Sequence, residues 1–183
     1  MELIEQYFNV YLASLIMWGF LMAFLYNVVK KSSSPGSDPT VMWIALSIFL
    51  SYLLSDPLFN QGFGYDLLDS TSAYLVWSVF DLVTILVIML IARGKTVQKS
   101  PVKLYLCMGL MINISLFIGM YIDLNFTKYI GPWWFWYFYS IIVNISDITM
   151  IIALLCNKDF LGLVSCYNYL KGLNKHQALF SKT

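Results

Sequence analysis

Five long apolar stretches constrain this 183-residue chain more than any other feature. They run approximately over Tyr7–Val29, Thr40–Leu54, Ser72–Ala92, Leu104–Leu124 and Pro132–Cys156. About 20 apolar helical residues cross roughly 30 Å of hydrocarbon, and most of these runs have that length. The runs are continuously apolar rather than alternating, and too few to close a barrel, so strands are excluded. Of the whole chain, 60% is hydrophobic and 11% is charged. A soluble domain carries roughly 25% charged residues. That balance excludes a disordered chain, a nucleic-acid binder and a disulfide scaffold. The expected fold is all-α: a polytopic bundle of five transmembrane helices forming one domain over residues 1–156, then a cytoplasmic tail over 157–183. The second run is the shortest. It spans only if nearly upright, or with Ser55 and the residues beyond.

Helix punctuation separates the runs. Ser37-Asp38-Pro39 and Ser100-Pro101 each place a capping side chain before a proline near a first turn. Gly131-Pro132 opens the fifth run, and Asp56-Pro57 discourages continuation of the second.

Net charge is only +1, so the arrangement of the charges matters more than their sum. Lys30 and Lys31 lie between the first and second runs. Arg93, Lys95, Lys99 and Lys103 lie between the third and fourth, and Lys158, Lys171, Lys175 and Lys182 lie in the tail. The alternate loops carry Lys128 alone, with Glu2, Glu5, Asp56, Asp66, Asp69 and Asp123. The positive-inside rule then puts the N-terminus outside and the C-terminus in the cytoplasm, as an odd number of spans requires. Glu2 and Glu5 stand where a cleaved signal peptide needs basic residues, so the first run is expected to be retained. Trp133, Trp134, Trp136 and Tyr137 read as an outer interfacial belt, with ligand stacking as the alternative. In the tail, Phe160, Leu163, Val164, Tyr167 and Leu170 recur at helical spacing near Lys158, Lys171 and Lys175. That pattern fits a short amphipathic helix on an anionic leaflet, or a plain solvated tail.

The residues that carry chemistry lie inside the runs. Asp81 is near the middle of the third and Asp147 past the middle of the fifth, and no Lys, Arg or His stands in any run. A charged residue at mid-membrane costs about 2.5–3.5 kcal/mol on insertion scales. Each aspartate is therefore protonated, or binds a cation in a wet cavity, or meets a basic residue of a partner chain. Helical steps set Ser78 beside Asp81 together with Tyr74, Trp77 and Thr84, and set Asn144 beside Asp147 together with Ser140. Asn113, Ser47 and Ser51 lie at similar depth, so one polar cluster built from the second to fifth helices is expected. Such Ser, Thr and Asn residues also serve simply as interhelical glue. A 66-residue shift lays Asp81 on Asp147 and Ser47 on Asn113, a faint echo of a parallel repeat.

Enzyme chemistry finds little support. The one histidine, His176, is in the tail, no residue group has metal spacing, and no cofactor is expected. Cys107, Cys156 and Cys166 form no CxxC. Gly62-Phe63-Gly64-Tyr65-Asp66 departs from the Gly-x-Gly-Asp of intramembrane aspartyl proteases, because Tyr65 intervenes and the stretch is a loop. Asn125-Phe126-Thr127 is a glycosylation sequon lying almost against the membrane. Two functions remain. One is a proton or small-cation pathway, alone or as a subunit, with Asp81 and Asp147 as carriers and Ser78, Asn113 and Asn144 in support. The other is a non-conducting interaction protein, an assembly subunit or immunity-type inhibitor. Its aspartates would pair with a partner helix, and Ser47-x-x-x-Ser51 and Ser115-x-x-x-Gly119 would give close contacts. Expected partners are the lipid bilayer and a second copy or another membrane protein, not nucleic acid. Compact loops fit a bacterial inner membrane.

Overall fold

The computed structural model describes residues 2–62, 71–96, 100–127, 133–169 and 171. It is all-helical, with no strand among those residues. In chain order the elements are α1 (Glu2–Ser33), α2 (Thr40–Ser55), the short α3 (Pro57–Gly62), α4 (Ala73–Ile91), α5 (Pro101–Ile122) and α6 (Trp134–Cys156). One π-helical turn, Asp123–Thr127, extends α5, and residues 163–169 are again helical. Pro101 opens α5 where its missing N–H costs nothing. Asn157 ends α6 in the left-handed conformation at φ 47°, its N–H bonded to the Ala153 carbonyl. The N-cap of α2 is Pro39, and Asp38 one residue before it accepts from Thr40 N at 3.1 Å, whereas Ser100 makes no capping bond. The Gly131-Pro132 boundary, Asp66, Asp69, His176 and the tail beyond 171 lie outside the described residues.

Four helical stretches are long and apolar enough to cross a membrane: Tyr11–Ser33, Ala73–Ile91, Pro101–Phe126 and Trp134–Cys156. This is the architecture of a multi-pass membrane protein. α2 has 16 residues, or about 24 Å at 1.5 Å per residue, shorter than the hydrocarbon. It stops at Ser55, and the chain beyond turns into α3, which packs on α1 and α2. The carbonyls at the end of α2 are met by neighbours. Trp77 Nε1 donates to Ser55 O at 3.1 Å, and Asn60 Nδ2 to Leu54 O at 2.8 Å. Without those donors a helix end among apolar helices would leave orphan carbonyls.

The five long helices close into a ring in the order α1, α2, α4, α5, α6, with α6 against α1. Neighbours alternate in direction, so the odd count leaves α1 and α6 parallel. Asn27 ties that seam, donating to Leu154 O at 3.1 Å and to Ala23 O of its own helix. Inside the ring Phe20, Ile44, Ile48, Ile88, Leu106, Leu110, Met150 and Leu154 are fully buried. The outer faces expose Leu15, Trp18 and Met22 on α1, Leu86 and Leu90 on α4, and Ile141, Ile145 and Ile148 on α6. Lipid tails give such faces no reason to associate, so contact rests on van der Waals fit and small residues. Gly109 is such a point. A Cβ there would stand 2.6 Å from Met150 Sδ and 3.1 Å from Ser146 Oγ, which donates to Gly109 O.

Lys30, Lys31, Arg93, Lys95, Lys103 and Lys158 gather at one end of the ring, while Asp56 and Asp123 mark the other. At the basic end Lys95 Nζ donates to Asp38 Oδ2 at 2.6 Å, with both side chains substantially exposed. That ammonium, then the Thr40 hydroxyl, lowers the Asp38 pKa from 3.8 to about 2. Asp159 is also held below the ordinary carboxylate range, first by the Tyr105 hydroxyl at 2.7 Å, then by Val164 N and Ser165 N. Phe160 stacks on Tyr105, with ring centroids 4.9 Å apart, and so fastens the chain after α6 to the foot of α5.

Gly109→Leu is expected to destabilise the bundle by about 1–3 kcal/mol through overpacking, read as a lower Tm in detergent. Gly36→Ala, whose Cβ meets nothing within 4 Å, leaves Tm unchanged. The Asp38–Lys95 pair is solvent-screened, so its stabilisation is at most about 1 kcal/mol. A lowered folded pKa contributes above 3.8 and is lost as pH falls through about 2. Asp38→Asn therefore melts slightly earlier than the wild type at pH 6, and the two curves converge in strong acid.

Candidate functional site

The two intramembrane aspartates both face the interior, and each is about one-twentieth exposed. Asp147 is held by two neutral donors on one oxygen. Tyr52 Oη of α2 reaches its Oδ1 at 2.5 Å, and Asn113 Nδ2 of α5 reaches the same atom at 2.8 Å. Asn113 Nδ2 also approaches Tyr52 Oη at 3.2 Å, closing a triangle between three helices. Phe20 of α1 packs on the Tyr52 ring, centroids 4.4 Å apart, and fixes its direction.

Asp81 of α4 is close enough to Asp147 for their charges to interact, yet no described residue bonds it. Its Oδ2 is fully buried and without a partner, as is Oδ1 of Asn113, a residue with no exposure at all. Two orphaned acceptors in one buried interior are an exception to the rule that buried polar groups are paired. Acceptors are satisfied by a proton on one of them, by a water or by a cation.

The site sits between two apolar layers. Toward the end marked by Asp56 and Asp123, Tyr74, Trp77, Phe117 and Tyr139 form an aromatic lid. Tyr74 and Tyr139 have centroids 5.9 Å apart, Trp77 and Phe117 5.6 Å, and Phe117 and Tyr139 6.0 Å. Toward the basic end, Ile48, Ile88, Leu110 and Met150 follow directly and Ile44, Leu106 and Leu154 fill the next layer, all fully buried. The described residues hold no group of three His, Cys, Asp or Glu able to bind a metal ion.

The expected polar cluster is thus smaller than the sequence reading drew it. Asp147 and Asn113 meet, and Asp81 lies beside them. Ser78 is buried but donates to Tyr74 O at 2.9 Å on its own helix, and Asn144 donates to Ser140 O at 2.6 Å. Neither hydrogen-bonds to the cluster. Ser51 faces α4, donating to Phe80 O at 3.5 Å, whereas Ser47 bonds Trp43 O on its own helix. Ser47 therefore does not mirror Asn113, as a repeat would have it. Ser115 donates to Met111 O, and Gly119 packs inward, a Cβ there standing 3.0 Å from Phe135. Each small-residue step is split between an inward-packing member and a self-bonded one.

Tyr52 was not among the expected site residues. A tyrosine near the end of an apolar run reads as an interfacial anchor, and only the shortness of α2 hints that this end lies inside the bundle. The aromatic belt is likewise divided. Trp134 is 65% exposed. Trp133 and Trp136 turn inward, their indole N–H groups donating to Asp123 Oδ2 at 2.9 and 3.1 Å. No family model, no curated protein and no solved structure matches the chain.

Tyr52→Phe removes a donor from a buried carboxylate and is expected to destabilise the bundle by about 1–3 kcal/mol. Because Tyr52 and Asn113 share Asp147 Oδ1, the loss in a Tyr52→Phe/Asn113→Ala double variant differs from the sum of the single losses by about 0.5–3 kcal/mol. Chemical unfolding of the four proteins in one detergent checks this.

Proposed function

We propose that the chain is a five-span membrane protein that binds and passes a proton or small cation through Asp81 and Asp147, alone or as a subunit. The observation that carries the reading is a pair of interacting, buried carboxylates with no Lys, Arg or His in the apolar runs around them, one of them without a hydrogen-bond partner among the described residues. Carboxyl groups inside a bundle are costly and mark ion and proton routes. The packed layers on both sides speak against an open pore. Transfer then requires the aromatic lid and the apolar layer to yield in turn, with the carboxyl groups exchanging their charge between those movements.

The orientation proposed with it, N-terminus outside and C-terminus cytoplasmic, draws on the clustering of basic residues at one end. α2 completes the fifth span with the help of Trp77 and Asn60 at its recessed end. A bacterial inner membrane is the proposed home, on the strength of the compact loops.

The second reading is a non-conducting assembly partner. It is favoured by an apolar groove of about 500 Å³ on the outer face of α5 and α6, lined by Met108, Met111, Ser115, Phe138 and Ile142 among others. A partner helix fits such a groove. The aspartates, which point inward, do not serve that contact.

Reconstitution in liposomes tests the first reading. A pH or cation gradient drives flux through the wild type, and the Asp81→Asn/Asp147→Asn variant loses it. No flux from the wild type, or equal flux from the double variant, ends the proposal. A stoichiometric membrane partner retained in mild detergent, without flux, favours the second.

A further inference from the structure

The two aspartates are not equivalent, and the difference lies in who donates to them. Tyr52 has one proton to give and gives it to Asp147, while Asn113 gives an N–H to the same oxygen. Hydrogen bonds donated to a carboxylate favour its charged form. Asp81 receives none from any described residue, and its Oδ2 is shut away from solvent. Two neighbouring carboxylates in a medium of low dielectric do not both stay ionised. One proton therefore belongs to the pair, and the donors decide where it goes.

We infer that Asp147 is the resident anion of the site and Asp81 the group that takes up and releases the proton, with Tyr52 as the positioning residue that sets the two apart. This deepens the buried-carboxylate reading above and rests on it. It also names the transferred species as a proton rather than a metal cation. The groups that act on Asp81 agree with that choice. α6 presents Asp147 and Tyr139, and α2 presents Tyr52. On the far side of the pair α5 sets the uncharged Asn113 on Asp147, and α1 sets the apolar Phe20 on Tyr52. Among the described residues no positive group faces Asp81, and the titratable groups that reach it are phenol hydroxyls and a second carboxylate. A protonated Asp81 turns one orphaned acceptor into a donor, which a bound alkali ion does not do.

The test reads protonation without needing transport. The wild-type protein in lipid is treated at neutral pH with dicyclohexylcarbodiimide, which attacks protonated carboxyl groups in apolar surroundings, and the modified residue is located by mass spectrometry. Modification at Asp81 and not at Asp147 is the expected result; modification at Asp147, or at neither, overturns the assignment. The infrared C=O band of a protonated carboxyl group, present in the wild type, is expected to disappear in Asp81→Asn, and its persistence there counts against the assignment. Tyr52→Phe, which strips Asp147 of its shorter bond, is expected to spread the modification to Asp147. A labelling pattern unchanged in that variant removes Tyr52 from its role. Untreated wild-type liposomes that pass no proton, when labelling falls on Asp81 alone, end the transport reading and leave the assignment standing. Liposomes that pass protons while Asp147 is modified end the assignment alone.

Discussion

Inside hydrocarbon a polar group has no water to fall back on, so its partner must come from the chain itself. The acids away from the basic end show how this chain meets that demand. Asp56 accepts from the Ser14 hydroxyl at 2.9 Å, Asp123 from two indoles, and Asp147 from a phenol and an amide. These five donors are all neutral. The ion pair Lys95–Asp38 stands at the basic end, in contact with solvent. Neutral donors stabilise a carboxylate without cancelling its charge, so the interior keeps a negative character that a buried lysine would have erased. Asp81 lies within that field and has no neutral donor among the described residues. The site is defined by this inequality between two chemically identical side chains.

The inequality depends on the length of α2. A helix of full membrane length would carry its Tyr52 through the middle of the wall and lift its end to the surface. With 16 residues, α2 ends inside the ring, where Trp77 and Asn60 satisfy its last carbonyls and Tyr52 reaches Asp147 across the interior. Phe20 of α1 backs the tyrosine ring, so four of the five ring helices cooperate in placing one hydroxyl. The short helix thus trades wall for a polar contact at the centre.

Much of this was legible beforehand. The spans follow from the length of apolar runs, and Asp81, Asp147 and Asn113 stand out because polar residues are rare within them. α1 and α5 exceed their runs, since helices continue into polar flanks that hydropathy does not register. The inward faces were harder to read. A helix apolar all round gives no stripe to mark its buried side, which is why the sequence points to Ser78 and Asn144 and not to Tyr52. Trp133 and Trp136 show the same limit. Their composition says interface, and only the fold brings their N–H groups onto Asp123.

An odd ring of alternating helices has one seam where two strands of the wall run the same way, here α1 with α6. Ribosomal synthesis supplies α1 before the other ring helices and α6 after them. The circle cannot close until α6 has joined the other four helices, and Asp147 arrives with it. Before then the Tyr52 hydroxyl and the Asn113 amide have no anion to receive them, and Asp81 has no rival for a proton. Completion of the wall and completion of its chemistry are therefore a single event in the life of the chain.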